Sequence, residues 1–448
     1  MKSEQRTDSW RSFPAAQQPE WPDAEALRHV LSELGAYPPL VEPGECDRLR
    51  ARLGEVARGE AFLLQAGDCA ETFDRSTAED VRNKLETMLQ MSAVLSYAVS
   101  VPVVKVGRIA GQYGKPRSQP AETRDGITLP SYRGDAVNGT EFTPEARTPD
   151  PERLKRMYRL SSTTLKLIRG FATEGHSVLR HLHDWKQCVV AGSPPEPRHE
   201  PLAGEIDRTL RFMRICGVES DAFGTDELYT SHEALLLDYE SALTRTDART
   251  GRTYDLSGHL LWIGERTRDP DGAHVEFASR IRNPIAVKLG PAATASEVLA
   301  LIERLDPRRE PGRLTFITRM GAGKIRDRLP DLMQAVTASG GAQVAWICDP
   351  MHGNTFQAPS GHKTRRFGDV LQEIDDFFAI SRALGIHPGG IHVELTGDNV
   401  TECVGGRPEI RLDALGTRYE TACDPRLNRS QALELALHVA ETYVTDQT

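Results

Sequence analysis

Two sets of side chains in this chain have the types that chemistry needs, and each is scattered along its length. The first is Cys69, His352, Glu394 and Asp424: a thiol, an imidazole and two carboxylates. A mixed sulfur, nitrogen and oxygen set suits a borderline divalent ion, Mn, Fe, Co or Zn, better than Mg or Ca, which prefer oxygen alone. No single segment links the four. Only a fold that gathers distant loops makes them one site; otherwise they are a buried thiol and solvated carboxylates. The second set is cationic: Arg108, Arg266, Lys288 and Arg319, with Lys115 and Arg117 in a Gly-rich loop. In a protein of net charge -9 and pI near 5.9, such a set points to an anion bearing phosphate and carboxylate groups, which Arg holds bidentately. Singly, each Arg would be an ordinary surface residue paired with Asp or Glu. Lys288 differs, because it interrupts the apolar run Ile285 to Leu289, where a charge is costly unless it faces a polar site.

What positions these residues is a repeat. Short apolar runs bounded by turn formers predict buried parallel strands at Ala61 to Ala66, Val101 to Val106, Leu260 to Ile263, Ile285 to Lys288, Leu314 to Ile317, Val344 to Ile347, Ile391 to Glu394 and Tyr419 to Cys423. Helical patterns separate most of them. Thr77 with Asp80 reads as a capping box before one such helix. Eight strands with helices between predict an α/β protein, a (β/α)8 TIM barrel whose site lies on loops at the strands' C-terminal ends. Cys69, Arg108, Glu265, Arg266, Lys288, Arg319, His352, Glu394 and Asp424 all fall at or just past those ends. Residues 1–60 read as an N-terminal extension, laid on its own subunit or across a neighbour. Residues 61–448 read as the catalytic barrel, with 119–257 a mainly helical insertion after the second strand. Helical patterns at 151–174, 204–215 and 230–243 mark that insertion, together with a Pro-rich linker at 192–198.

Other features narrow the function. Broad basic surfaces hold nucleic acid, and the acidic balance here excludes a general binder. No apolar run is long enough for a membrane span. Seven cysteines without a C-x-x-C pair, and an N-terminus without a hydrophobic stretch, predict a reducing cytoplasmic setting. Gly321-Ala-Gly-Lys324 resembles a scrap of phosphate loop, but Thr318 and Ile325 stand where that motif needs Gly and Ser or Thr. His392, two before Glu394, reads as a supporting residue rather than a ligand.

Several longer motifs are specific. They are Phe62-Leu-Leu-Gln-Ala-Gly-Asp-Cys-Ala-Glu-Thr72, Lys105-Val-Gly-Arg-Ile-Ala-Gly-Gln-Tyr-Gly-Lys-Pro-Arg-Ser118, Trp262-Ile-Gly-Glu-Arg-Thr267, Cys348-Asp-Pro-Met-His-Gly-Asn-Thr355, Gly389-Gly-Ile-His-Val-Glu-Leu-Thr396 and Arg418-Tyr-Glu-Thr-Ala-Cys-Asp-Pro-Arg-Leu427. From about residue 14 onward the chain resembles the type II 3-deoxy-D-arabino-heptulosonate 7-phosphate (DAHP) synthases, which condense phosphoenolpyruvate with erythrose 4-phosphate at the start of the shikimate pathway. The resemblance implies a divalent metal, Mn2+ or Co2+ first and Zn2+ or Fe2+ next, on Cys69, His352, Glu394 and Asp424. It puts phosphoenolpyruvate on Arg108, Glu265, Arg266, Lys288 and Arg319, and the sugar phosphate on Lys115, Arg117 and Ser118. Catalytic roles fall to Lys115, Cys69 and His352. A homodimer or homotetramer and aromatic amino acid effectors are further expectations. A related synthase of secondary metabolism shares these residues, while an inactive regulatory barrel would be expected to have lost one. Cys423, next to Asp424, is expected near Cys69 as an oxidisable partner.

Overall fold

The computed structural model describes residues 8–173, 227–340 and 343–445. Its centre is a closed barrel of eight parallel strands, β1 (Phe62–Gly67), β2 (Val103–Arg108), β3 (Leu228–Glu233), β4 (Leu260–Ile263), β5 (Ile285–Leu289), β6 (Leu314–Thr318), β7 (Ala345–Cys348) and β8 (Pro388–Glu394). Each strand pairs with its neighbours in sequence, and β8 closes on β1. Two helices precede the barrel, α1 (Ala24–Ala36) and α2 (Pro43–Ala57). At least one then follows each strand: α3 (Ala78–Val99), α4 (Glu152–Thr173), α5 (Leu237–Leu243), α6 (Ala273–Arg280), α7 (Ala295–Leu305), α8 (Ile325–Ala338), α9 (Phe367–Ala383) and α10 (Arg429–Thr445). Helices outside and side chains inside leave strands such as β1, β5 and β6 buried along their whole length. That is why continuous apolar runs, not alternation, mark them in the sequence. Caps start the helices where side chains permit. Thr77 Oγ1 accepts from the Asp80 amide ahead of α3, and Thr294 with Glu297 forms a reciprocal box ahead of α7.

The N-terminal segment lies on its own barrel. Trp10 is buried and donates to Ser241 Oγ at 2.7 Å, and α1 packs on α4 and α5. More consequentially, α2 closes the barrel's lower end. Its Leu49, Leu53 and Val56 join Leu63, Val104, Leu260, Ala286 and Ala345 from the early parts of the strands in one apolar cluster. With that end sealed, the barrel opens only where strands terminate in charged residues.

Two strand expectations are corrected. Tyr419 to Cys423 is not a strand. Its amides are taken by side chains instead: Glu420 N donates to Glu402 Oε1, and Cys423 N to Thr421 Oγ1. The missing strand is β3, inside the stretch expected to be helical insertion, and only Leu237–Leu243 of the pattern at 230–243 is helix. The barrel still has eight strands because one false strand and one missed strand cancel. The pattern at 151–174 is α4, whereas those at 192–198 and 204–215 lie outside the described residues. Among the described residues, no helix is long and apolar enough to cross a membrane.

Leu53 tests the plug. Leu53→Ala should lower unfolding free energy by about 2–5 kcal/mol, the cost of a cavity in a packed core, read as a lower denaturation midpoint against wild type.

Candidate active site

The open end is arranged by strand register. Gly67 of β1 pairs with Arg108 of β2 on one side and Glu394 of β8 on the other. Its φ is +146°, and a Cβ there would stand 2.5 Å from the Arg108 carbonyl oxygen, so position 67 admits no side chain. Flanking it on either side, Arg108 and Glu394 meet, Nη2 to Oε1 at 3.0 Å, both buried. Arg108 is fixed further by the carbonyls of Asp68 at 2.9 Å and Cys69 at 3.2 Å, and lies 4.8 Å over the Trp262 ring. His392 supports it. Burial and the cations Lys288 and Arg108 hold that imidazole far below its usual range, hence neutral. Its Nε2 accepts from Arg108 Nη1 while Nδ1 donates to Gln65 Oε1 at 2.8 Å, and Gln65 in turn donates to Ser231 Oγ at 2.9 Å.

The four expected ligands converge on this layer in two linked pairs. His352 Nε2 is 3.0 Å from Glu394 Oε1. Lys115 Nζ donates to Cys69 Sγ at 3.0 Å and sits 2.8 Å from Asp424 Oδ2, and the Asp424 amide points at the same sulfur at 3.4 Å. Asp424 comes from a loop, not from the end of a strand. After β8 the chain returns so that Leu427 bridges to Leu395, and Arg426 locks the return through Asp68 and Glu402, each at 2.8 Å. Burial works against the charge of Glu394 and Asp424, yet both are held below the usual carboxylate range. For Glu394 the cause is His352, Arg365 and Lys115; for Asp424 it is Lys115 and Lys363. Burial together with Glu394 raises the Cys69 thiol well above its ordinary value.

The donor set fits a borderline divalent ion in chemistry, but not yet as a finished shell. Among the described residues, no three His, Cys, Asp or Glu side chains are grouped so as to hold an ion as they stand. Instead the ammonium of Lys115 lies between sulfur and carboxylate, a cation already in contact with two of the four donors.

The cationic set lines one cavity of about 500 Å³ with Glu265, Ser118, His352 and Asp424. Arg108, Lys115, Arg117, Arg266, Lys288 and Arg319 all reach it. Arg266 donates to Ser118 Oγ at 2.6 Å, joining the loop after β4 to the Gly-rich loop after β2. That Gly-rich loop is itself shaped by buried Glu71, whose carboxylate accepts the amides of Ala110, Gly111 and Gln112 at 2.8–3.0 Å. Glu265 accepts from the Gly290 amide and from Arg268. Arg319 donates to the His352 carbonyl at 2.9 Å, and its buried Nε has no partner among the described residues. Burial lowers Lys288 to about 8, with Arg108 adding to the effect against the pull of Asp349.

Sequence reasoning passed over three contributors. Asp349 follows β7 directly, accepts from His352 Nδ1 at 2.7 Å and pairs with Lys288. Its charge immediately after a buried strand was the available signal. Arg365, fully buried, reaches Glu394 Oε2 at 2.8 Å from a short hairpin that left no pattern. Glu233, at the end of β3, also lines the cavity. Cys69 and Cys423 are both free thiols here.

The chain matches the model of the class-II DAHP synthetase family over residues 5–440. It belongs to that family. The activity that goes with the class-II DAHP synthetases is formation of DAHP, the first step of the shikimate pathway. A phospho-2-dehydro-3-deoxyheptonate aldolase of Streptomyces coelicolor is 68% identical over 436 residues, covering 97% of each chain. A second, from Mycolicibacterium smegmatis, is 52% identical over 443 residues, covering 98% of this chain and 94% of the other. The solved structure of such an aldolase from Francisella tularensis SCHU S4 aligns over 94% of this chain and 97% of that one at 14% identity and a TM-score of 0.44, too distant to add to the barrel seen directly.

Proposed function

We propose that this class-II DAHP synthase condenses phosphoenolpyruvate with erythrose 4-phosphate in the cavity above β1 to β8, using a divalent metal held by Cys69, His352, Glu394 and Asp424. The observation that carries the reading is that those four donors stand as two close pairs beside one cavity lined by seven Arg and Lys side chains. The mixed donors suit a borderline divalent ion, and the resemblance to the type II synthases puts Mn2+ or Co2+ first, with Zn2+ or Fe2+ next. When bound, such an ion supplies Lewis-acid polarisation of the aldehyde oxygen.

The chain's own residues do the rest. Arg266, Lys288 and Arg319 fix the carboxylate and phosphate of phosphoenolpyruvate, with Arg108 and Glu265 beside them. Lys115, Arg117 and Ser118 receive the sugar phosphate. Held in one cleft, C3 of phosphoenolpyruvate attacks the aldehyde carbon. Lys115, which reaches the cavity beside the donor set, gives its proton to the new alkoxide. Water then adds at C2 and phosphate leaves with carbon–oxygen cleavage. Asp349 orients His352 through Nδ1, which leaves Nε2 as the ligating nitrogen.

The direct test is phosphoenolpyruvate consumption with erythrose 4-phosphate, before and after chelation. Turnover that disappears with chelator and returns with Mn2+ or Co2+ is expected; turnover indifferent to chelator would refute the metal. Asp349→Asn should weaken metal affinity about 10- to 100-fold, measured by direct titration, because it loosens the orientation of His352. The third expectation is a pH effect. Lys288 carries its positive charge below about 8 and loses it above, so kcat/KM for phosphoenolpyruvate should fall as pH rises through that value in the free enzyme.

A further inference from the structure

Glu71 is buried two residues after Cys69, and the reaction above gives it no task. Its carboxylate fills a backbone concavity. Oε2 accepts the Ala110 amide at 3.0 Å, and Oε1 accepts those of Gly111 at 2.9 Å and Gln112 at 2.8 Å. Ala110 has a φ of +63°, left-handed for a residue with a side chain, and the bend turns three successive N–H groups toward one point. A concavity of this kind ordinarily takes an anion from solution. Here the chain supplies its own, so these amides are occupied before substrate arrives, and the sugar phosphate is left to the side chains of Lys115, Arg117 and Ser118. The clasp is reciprocal, because the Glu71 amide donates to the Gln112 carbonyl at 2.7 Å. Together these bonds join the loop after β1 to the Gly-rich loop after β2. The third strand holds the same few residues: a Cβ on Gly111 would stand 2.5 Å from His232 Nδ1, and Gln112 Oε1 accepts the Glu233 amide at 2.8 Å.

What the clasp joins decides what it does. On the Glu71 side is Cys69, part of the donor set that draws the aldehyde oxygen. On the Gln112 side, a few residues further along the same loop, are Lys115, Arg117 and Ser118, which receive the phosphate at the other end of the sugar. An aldose phosphate has to reach from one anchor to the other, and the separation of the anchors is set where the two loops are tied. The contact of Lys115 Nζ with Cys69 Sγ at 3.0 Å shows how closely the tie brings the loops together. Glu71 does not itself line the cavity, so it acts on substrate only through the loops it joins.

We propose that Glu71 is a positioning residue that sets the length of aldose phosphate the site accepts, by fixing the sugar-phosphate loop at one distance from the metal-binding loop. The proposal rests on the activity proposed above. A four-carbon aldose phosphate spans the two anchors. A three-carbon one falls short, and a five-carbon one has to buckle between them. Phosphoenolpyruvate is held from β4, β5 and β6, beyond the reach of the clasp, so its binding does not depend on Glu71.

The test compares wild type with Glu71→Gln, both metal-loaded, by phosphoenolpyruvate consumption with glyceraldehyde 3-phosphate, erythrose 4-phosphate and arabinose 5-phosphate in turn. Gln sets an NH2 group against one of the N–H donors and loosens the loop. kcat/KM for erythrose 4-phosphate should fall about 10- to 100-fold, the cost of misplacing a reactant by something on the order of 1 Å. The preference for erythrose 4-phosphate over each of the other two sugars should fall by about tenfold or more. Phosphoenolpyruvate affinity, followed by tryptophan fluorescence without turnover, should stay within about threefold, as should bound metal per chain. Leu53→Ala, destabilised at the closed end of the barrel, should keep the wild-type preference, which separates lost stability from a displaced loop. If Glu71→Gln does not fold, Glu71→Asp keeps the charge the amides require, shortens the arm by one methylene and should lower the preference in the same way. An unchanged preference in either folded variant, or a loss shared equally by all three sugars and by phosphoenolpyruvate affinity, overturns the proposal. Wild type that consumes no phosphoenolpyruvate with erythrose 4-phosphate sinks the activity itself instead.

Discussion

The structure depends on one buried ion pair. The register of three adjacent strands brings Arg108, Gly67 and Glu394 to the same height, and β1 can pass so close to the Arg108 carbonyl only because position 67 carries no side chain. Removing both charges from water costs several kcal/mol per ion before any attraction is counted. The surroundings offset this by crowding partners onto each. Glu394 also receives Arg365 and stands against His352, while Arg108 has two backbone carbonyls, an imidazole nitrogen and the Trp262 face. Such an arrangement makes little sense as a stabilising device, since well-packed apolar residues would serve as well. It makes sense as a fixed point from which a donor set extends toward β7 and an anion cradle toward β6.

Electrostatic balance follows from the same layer. Seven Arg and Lys side chains line the cavity of an acidic protein, and three of them in the substrate-free state lean on a partner they can give up. Lys115 leans on Cys69 and Asp424, Lys288 on Asp349, and Arg266 on the Ser118 hydroxyl. The free site is therefore internally neutralised without being collapsed, because those partners are anchored elsewhere: Asp349 by the Met351 and His352 amides, Asp424 by the chain's return at Leu427. Incoming phosphates and a metal ion exchange one set of charge partners for another.

How much of this was legible in the sequence depended on whether a residue followed an apolar run. Cys69, Arg108, Lys288, Arg319, His352 and Glu394 do, and strand ends gave them away. β3 was not legible because its residues, Leu-Tyr-Thr-Ser-His-Glu, are mostly polar. Ser231 bonds Gln65 and the Gly107 carbonyl, His232 faces Glu240, and Glu233 lines the cavity, so polarity there reflects buried hydrogen bonds and the cavity and not exposure. Conversely, Tyr419 to Cys423 has the composition of a strand, yet its amides find side chains before they find a ladder. Asp424 reached the site by a different route from the one its position suggested. Arg365 left no periodic trace at all, because what places it is a short hairpin and one long side chain.

The central claim is that Cys69, His352, Glu394 and Asp424 close on one ion, displacing the ammonium of Lys115 from between sulfur and carboxylate. The most direct measurement is the near-ultraviolet absorption of the cobalt-loaded protein, compared with the same preparation of Cys69→Ser. A thiolate-to-cobalt charge-transfer band in the first and its loss in the second is what the account predicts, since a coordinating thiol is deprotonated outright. A cobalt spectrum with no such band, or one unchanged by Cys69→Ser while cobalt remains bound, would contradict it.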